Sequence, residues 1–175
     1  MDTIQINNLK RSIGTLMIKA GMMQVRDAVD FEKKQILSRV IDTSCKNFGI
    51  TPNELDGFYQ TTSWDNWKKI IDILYTIIKD FKWKAETADC DNRSALMTSL
   101  CSMLFDLNTC SQCYCEVYDA TTNVLKYLHW CNVVIDDNGN LFLFDVDQSG
   151  LTQKITSNNL VMGVNKYHLL QLRIY

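Results

Sequence analysis

The apolar residues of this chain change their spacing once, and that change limits the fold more than any other feature of the sequence. Between residues 64 and 81 they recur every three or four positions, which is typical of one buried helix face. From about residue 112 onward they alternate instead, as in strands with one buried face. Helices followed by strands imply an α+β fold with an antiparallel sheet. Strands are expected at 112–119, 124–136, 140–147 and 167–174.

The first 48 residues have a character of their own. Their apolar residues keep helical spacing, and Gly49 follows as a helix stop. The sequence therefore predicts a helical N-terminal extension over 1–48 and a domain over 49–175. Within that domain a short helix is expected to begin at Thr51-Pro52, since threonine caps helices and proline fits the first position.

Composition and charge exclude several classes of protein. The net charge of the 175 residues is -2, and no cluster of lysine and arginine indicates a nucleic-acid surface. No apolar run reaches the roughly 18 residues that a membrane span needs, and the start of the sequence lacks the pattern of a signal peptide. We therefore expect a cytoplasmic protein, in a host cell or a virion, that contacts neither nucleic acid nor membrane.

A cysteine stands at the predicted start of a helix. Asp89 is placed to cap that helix, and Cys90 would take its first position. The free amides and the positive end of the helix dipole favour an anion there, so a thiolate would be stabilised. The alternative is that Cys90 is a small buried residue without chemistry. The apolar positions that define the buried face of this helix are Ala95, Leu96, Leu100, Met103 and Leu104.

Two strand-forming runs flank a turn cluster about forty residues later. Residues 129–135 and 141–145 are rich in β-branched and aromatic side chains, and polar turn residues separate them. This pattern predicts a β-hairpin. A three-residue loop at 137–139, with Gly139 in the left-handed region, is one of the common connections for such a hairpin.

The length of that loop decides which side chains share a face. A three-residue loop pairs Ile135 with Leu141 and makes His129 and Asp145 diagonal neighbours on one face. A two-residue loop would slip the register by one position and move Asp145 to the opposite face. If Asp145 holds the imidazole, the loop must have three residues.

Together these residues suggest a catalytic constellation. Cys90 would be the nucleophile, His129 the base that takes its proton, and Asp145 the group that orients the imidazole. Asp147 is the alternative orienter, because it falls on the same face of the strand as Asp145.

An acyl-transfer reaction also needs donors for the developing oxyanion. The backbone amide of Cys90 is one, and Trp83 or Gln60 could supply a side-chain donor from upstream. For Trp83 the alternative is simple packing against the helix start. His168, the second histidine, falls in the final strand, where we expect a structural role.

The order Cys90, His129, Asp145 resembles the papain-like/transglutaminase-like cysteine peptidase superfamily, and the stretch from Ala88 to Ala95 resembles the signature of one of its branches. It is similar to the branch that includes the peptidase-like C-terminal domain of a fungal chimerolectin and phage proteins, over roughly residues 83–150. The resemblance implies an antiparallel sheet packed on the nucleophile helix, and catalysis by Cys90, His129 and Asp145. It further implies peptidase, deamidase or transglutaminase activity on a protein or peptide, without a cofactor or metal.

A non-catalytic protein on the same fold is the main alternative. Arg93 stands where the resembling signature has an aromatic residue, which favours a structural or interaction protein, for example a phage virion or assembly component. Its partner would then dock on the N-terminal helices.

A small zinc-stabilised module is the third hypothesis. The seven cysteines, an odd number without a secretory signal, indicate reduced thiols. Cys110, Cys113 and Cys115, joined by His129 or Cys131, could form a tetrahedral zinc site. Buried thiols are the alternative for all of them.

Overall fold

The chain divides into two compact units, residues 1–30 and 31–175. A computed structural model describes residues 21, 23–26, 29–53, 56–79, 89–148 and 150–174. In the first unit, residues 23–26 are helical, as predicted, and Gly21 is helical as well, although it interrupts the apolar spacing of the sequence. The rest of the helix predicted near the N-terminus lies largely outside the described residues.

The described part of the second unit combines helices and strands, which confirms the α+β class. In chain order the elements are β1 (Lys34–Leu37), α1 (Ser38–Asn47), β2 (Thr51–Asn53), β3 (Phe58–Thr61), α2 (Trp64–Ile78), α3 (Cys90–Phe105), β4 (Cys110–Asp119), β5 (Leu125–Ile135), β6 (Leu141–Asp145), a 3-10 turn (Val146–Gln148), β7 (Leu151–Lys154), β8 (Asn159–Met162) and β9 (Asn165–Arg173).

The strands form one large sheet and one small one. The large sheet has the order β2-β9-β4-β5-β6-β7, with β8 beside β9, and β1 pairs with β3 in a separate two-stranded sheet. The four predicted strands correspond to β4, β5, β6 and β9. The large sheet is mixed rather than antiparallel, because β2 runs parallel to β9.

Two stretches that were expected to be helical are strands instead. Residues 51–53 pair with residues 171–173 at the edge of the sheet, where a proline costs no ladder hydrogen bond on its open side. Lys34–Leu37 pairs with Phe58–Thr61. In both cases pairing with a distant strand outweighs a local helix signal.

The helix ends follow the predicted local chemistry. Gly49, two residues after the end of α1, has φ +68, and its amide donates to the carbonyl of Lys46 at 3.0 Å. At the start of α2, the Ser63 side chain accepts from the amide of Asn66.

The sheet is covered on both faces. On one face a single apolar cluster joins the inward side chains of β4, β5, β6 and β9 to Ile41 and Cys45 of α1. Helix α3 lies against the other face, where Ser94 donates to the carbonyl of Cys131 at 2.9 Å. The second unit therefore includes residues before 49. The domain boundary at residue 49 remains a prediction, which the stability of a fragment can test.

The helices within the described ranges are too short or too polar to cross a bilayer.

Candidate active site

Cys90 is the first residue of α3, as predicted. Asp89 occupies the N-cap position with φ -90 and ψ -166, and its carbonyl accepts the first helical bond from the Arg93 amide at 3.0 Å. The expected side-chain cap from Asp89 is not made. Cys90 is half-buried, and as the first helical residue it lies at the positive end of the helix dipole.

The hairpin register that the site requires is present. Ile135 pairs with Leu141, and the Asp136 amide donates to the carbonyl of Asn140 at 3.0 Å. This leaves a loop of three residues, in which Gly139 has φ +76. The predicted loop and register are both confirmed.

As a consequence, Asp145 holds the imidazole of His129. Nε2 of His129 lies 3.1 Å from Oδ2 of Asp145, and the two side chains are 5% and 1% exposed. The same Oδ2 accepts the Tyr167 hydroxyl at 2.6 Å, while Oδ1 accepts the amide of Asp147 at 2.9 Å. Three donors thus orient one buried carboxylate.

The His129 ring connects this carboxylate to the thiol. Since Nε2 faces Asp145, Nδ1 is the ring nitrogen available for the hydrogen bond with Cys90. Burial by itself would lower the pKa of His129, but the bonds with Asp145 and Cys90 outweigh it and raise the pKa to about 10. The ring is therefore an imidazolium at neutral pH.

The carboxylate of Asp145 stays ionised in the same surroundings. Burial would raise its pKa, but the hydrogen bond and charge of His129, with the Tyr167 hydroxyl and the Asp147 amide, hold that pKa below its ordinary value. Asp145 and His129 consequently form a buried ion pair.

An open cleft gives access to the Cys90–His129 pair. Its volume is about 470 Å³. Tyr127 lies on its wall, with its ring edge-on to the His129 ring and the two centroids 5.8 Å apart. The residues that line the cleft are Cys90, Arg93, Tyr127, Leu128, His129 and Asp147.

Asp147, the alternative orienter, has a different partner. It forms an ion pair with Arg93 at the cleft, and the two side chains are 19% and 11% exposed. Burial raises the pKa of Asp147, although the Arg93 charge opposes that shift. The structure therefore assigns the bond to the imidazole to Asp145.

The side-chain oxyanion candidates have separate outcomes. Trp83 lies outside the described residues. Gln60 lies in β3, where its backbone N–H donates to Oδ1 of Asn108 at 2.6 Å, and it is not among the described residues that line the cleft. The backbone amide of Cys90, at the start of α3 and on the cleft, remains as the candidate donor.

The sheet separates the cysteines of the zinc hypothesis. Cys110 faces Cys101 of α3, and burial together with the Cys110 thiol raises the pKa of Cys101. Cys113 and Cys115 belong to the apolar cluster on the opposite face, where the sulfur atoms of Cys115 and Cys131 are 3.9 Å apart. Burial raises the pKa of Cys131, so it is a neutral thiol. A zinc site that contains all of Cys110, Cys113 and Cys115 does not fit this fold.

Among the described residues, the ligand atoms of His129, Asp145 and Asp147 also lie within 4.8 Å of one another. These atoms already serve the His129–Asp145 pair and the Asp147–Arg93 pair. We therefore assign them to ion pairs and not to a metal site.

Sequence reasoning missed Tyr167 and the Arg93–Asp147 pair. The alternation in the last strand places Tyr167 on the buried face, but nothing local shows that its hydroxyl reaches a carboxylate 22 residues away in sequence. Arg93 was noticed only as a departure from a signature.

Comparison with known proteins gives a likeness of fold alone. No family model and no curated protein matches the chain. A crystal structure of Polyporus squamosus lectin bound to a human-type influenza-binding epitope matches with TM-score 0.50 and 13% identity, over 68% of this chain and 45% of the lectin. A structure described as a PSL1a–E64 complex matches with TM-score 0.53 and 12% identity, over 79% and 50%. The chain thus spans about half the length of each.

These comparisons overturn the family resemblance. The matching structures are those of a lectin, and no peptidase family model matches. The assignment to the papain-like/transglutaminase-like superfamily is therefore wrong. It depended on the order of Cys90, His129 and Asp145 and on the short stretch Ala88–Ala95. An aspartate followed by a polar first turn is common at helix starts for reasons of capping alone.

Proposed function

We propose that this protein is a cysteine-nucleophile enzyme that transfers an acyl group from an amide. The observation that carries the proposal is that Cys90 and His129 line one cleft, while Asp145 lies 3.1 Å from Nε2 of the His129 ring. A nucleophile at a helix N-terminus, a buried imidazole and a carboxylate that orients it are the parts that such chemistry needs.

The reaction would proceed in two acyl transfers. The Cys90 thiolate attacks the amide carbonyl, a bond from sulfur to carbon forms, and the amide of Cys90 donates to the oxyanion. The C–N bond then breaks as the His129 imidazolium gives its proton to the leaving amine. Water or a second amine attacks the thioester, loses its proton to His129 and releases the Cys90 thiolate.

Asp145 would act through His129. Its charge favours the imidazolium, and its bonds from Tyr167 and the Asp147 amide fix the direction in which it accepts. An oriented imidazolium beside a thiolate lowers the barrier because neither group needs to reorganise during the reaction.

The test is the rate at which iodoacetamide alkylates each cysteine between pH 5 and 9, read by peptide mass mapping. In the wild type, Cys90 should be labelled below pH 7, at a rate about tenfold or more above that of an ordinary thiol with a pKa near 8.5. His129→Ala should lose this labelling because the thiolate loses its counter-ion.

His168→Ala is the matched control. His168 is the other histidine, and it bonds with Glu116 at 3.3 Å, on the neighbouring strand. Its removal should leave the labelling of Cys90 unchanged. If wild-type Cys90 is labelled slowly, with an ordinary thiol profile, the chain is a non-catalytic interaction protein and the proposal fails.

The epitope bound by the lectin is not carried over to this chain, because 13% identity supports a likeness of fold only. E64, named in the PSL1a–E64 complex, is a second probe. Peptide mass mapping would compare its attachment to Cys90 in the wild type and in His129→Ala.

A further inference from the structure

Strand β5 is paired along its whole length on only one of its two sides. It pairs with β4 from Leu125 to Val134, whereas its pairing with β6 begins only at Asn132. Within the described ranges, no strand pairs with residues 125–131 on the side away from β4. We call this side of residues 125–131 the open edge.

The direction of the backbone groups along this edge follows from two hydrogen bonds. The Ile135 amide donates toward the β4 side, to Thr109, and the Asp136 amide donates toward the β6 side, to Asn140. Amides alternate in direction along an antiparallel strand, and the register with β4 is regular from Tyr127 onward. The N–H and C=O of Leu128 therefore point to the open edge.

The open edge leads directly to the nucleophile. Tyr127 and Leu128 line the same cleft as Cys90 and His129. Their side chains are 40% and 54% exposed, and so they offer apolar surface on both sides of the strand. An exposed strand edge with unpaired backbone groups is a template for an added strand, while the flanking pockets select side chains.

We infer that the substrate is an extended polypeptide with apolar side chains, which pairs through its backbone with Leu128 at the open edge and so presents a carbonyl to Cys90. The inference rests on the proposed function. A polypeptide is the occupant because Leu128 offers one donor and one acceptor of the backbone, and a backbone amide satisfies both.

Two chloromethyl ketones test this. One is acetyl-Leu-Leu-Ala chloromethyl ketone. The other has the same sequence, but the nitrogens of its Leu–Leu and Leu–Ala amides are methylated. With each, the Cys90 thiolate forms a bond from sulfur to carbon as the C–Cl bond breaks and chloride leaves. We expect the unmethylated compound to alkylate Cys90 about tenfold faster or more, since one or two hydrogen bonds of ordinary strength are lost in the other. As a control for their intrinsic reactivity, the two chloromethyl ketones should alkylate the thiol of glutathione at equal rates.

Substitution at Leu128 locates the effect. Leu128→Pro removes the amide donor at an edge position that tolerates proline, and it should bring the ratio of the two rate constants close to one. Leu128→Ala shortens the side chain but keeps the donor, so the ratio should stay near that of the wild type. Hydrogen exchange should show the Leu128 amide protected in the adduct and unprotected in the free protein.

The outcomes separate this inference from the proposed function. If iodoacetamide labels Cys90 rapidly but the two chloromethyl ketones react equally, the enzyme proposal stands and the peptide inference is overturned. Protection of the Leu128 amide in the free protein, which a second copy on the edge would cause, also overturns it. Slow labelling by iodoacetamide removes the proposed function and this inference together.

Discussion

At the scale of single residues, the site depends on hydrogen bonds between buried polar groups. Asp145 is 1% exposed and accepts three hydrogen bonds, one of them from the Tyr167 hydroxyl. Burying a carboxylate is costly unless donors surround it. The same donors that stabilise Asp145 also position His129 for Cys90.

Tyr167→Phe should destabilise the protein by about 1.5–3 kcal/mol, because a hydrogen bond to a buried charged group is lost. The measurement is the free energy of unfolding in urea. Tyr127→Phe is the matched control, since Tyr127 is 40% exposed at the cleft, and its effect should stay within about 0.5 kcal/mol. Equal effects of the two substitutions would show that the Tyr167 hydroxyl does not support Asp145.

The pKa of His129 makes stability depend on pH. It is about 10 in the folded protein against an ordinary 6.5, so the folded state binds this proton more tightly than the unfolded state. The stabilisation is fully present below about pH 6.5 and is lost as the pH rises through about 10. The difference in unfolding free energy between wild type and His129→Gln should therefore shrink from neutral pH toward pH 10. A difference that stays constant would contradict the raised pKa.

At the scale of elements, the turn of the β5–β6 hairpin is supported from outside by α1. Ser44 donates to the carbonyl of Gly139 at 2.8 Å. A Cβ on Gly139 would lie 2.6 Å from Cγ1 of Val40 and 3.4 Å from the Ser44 hydroxyl. Helix α1 and the turn are thus closely packed. The length of the turn sets the register of β6, and so it determines the face of the sheet on which Asp145 lies.

Gly139→Ala should consequently be more destabilising than a left-handed conformation alone explains. Gly163→Ala is the control, because Gly163 also has positive φ, +61, but a Cβ there meets nothing within 4 Å. We expect about 1–2 kcal/mol of backbone strain in both variants and a further 1–3 kcal/mol, roughly, from overpacking at Gly139. Denaturation in urea measures both, and equal losses would mean that α1 does not press on the turn.

At the scale of the whole molecule, the core of the second unit draws on both ends of its chain. Ile41 and Cys45 of α1 are fully buried in the cluster that β9 closes, more than a hundred residues later. A fragment that begins at 49 lacks these side chains and β1. Loss of buried apolar surface on this scale exceeds the few kcal/mol by which domains are stable.

Residues 31–175 should therefore unfold cooperatively, whereas residues 49–175 should not. Near-UV circular dichroism and the sharpness of the urea transition measure the difference. If both fragments unfold with the same midpoint, the predicted boundary at residue 49 is correct and α1 is an appendage.

The sequence alone determined the features that arise from local chemistry. The change in apolar period indicates the α+β class, and the turn residues around Gly139 limit the loop to two or three residues. The structure decides for three, and that length places Asp145 beside His129. The start of α3 at Cys90 follows from the residues around it. These features depend on the conformations of neighbouring residues, and so a short window contains their cause.

Only the tertiary structure decided which distant groups meet. Thr51-Pro52 carries a helix-start signal, yet it forms a parallel edge strand because β9 offers it a partner. Tyr167 reaches Asp145, and the cysteines around β4 divide between two faces, because strand order brings these residues together or apart. Which strands pair depends on the side-chain packing and burial of the whole sheet, and no single segment of the sequence contains that information.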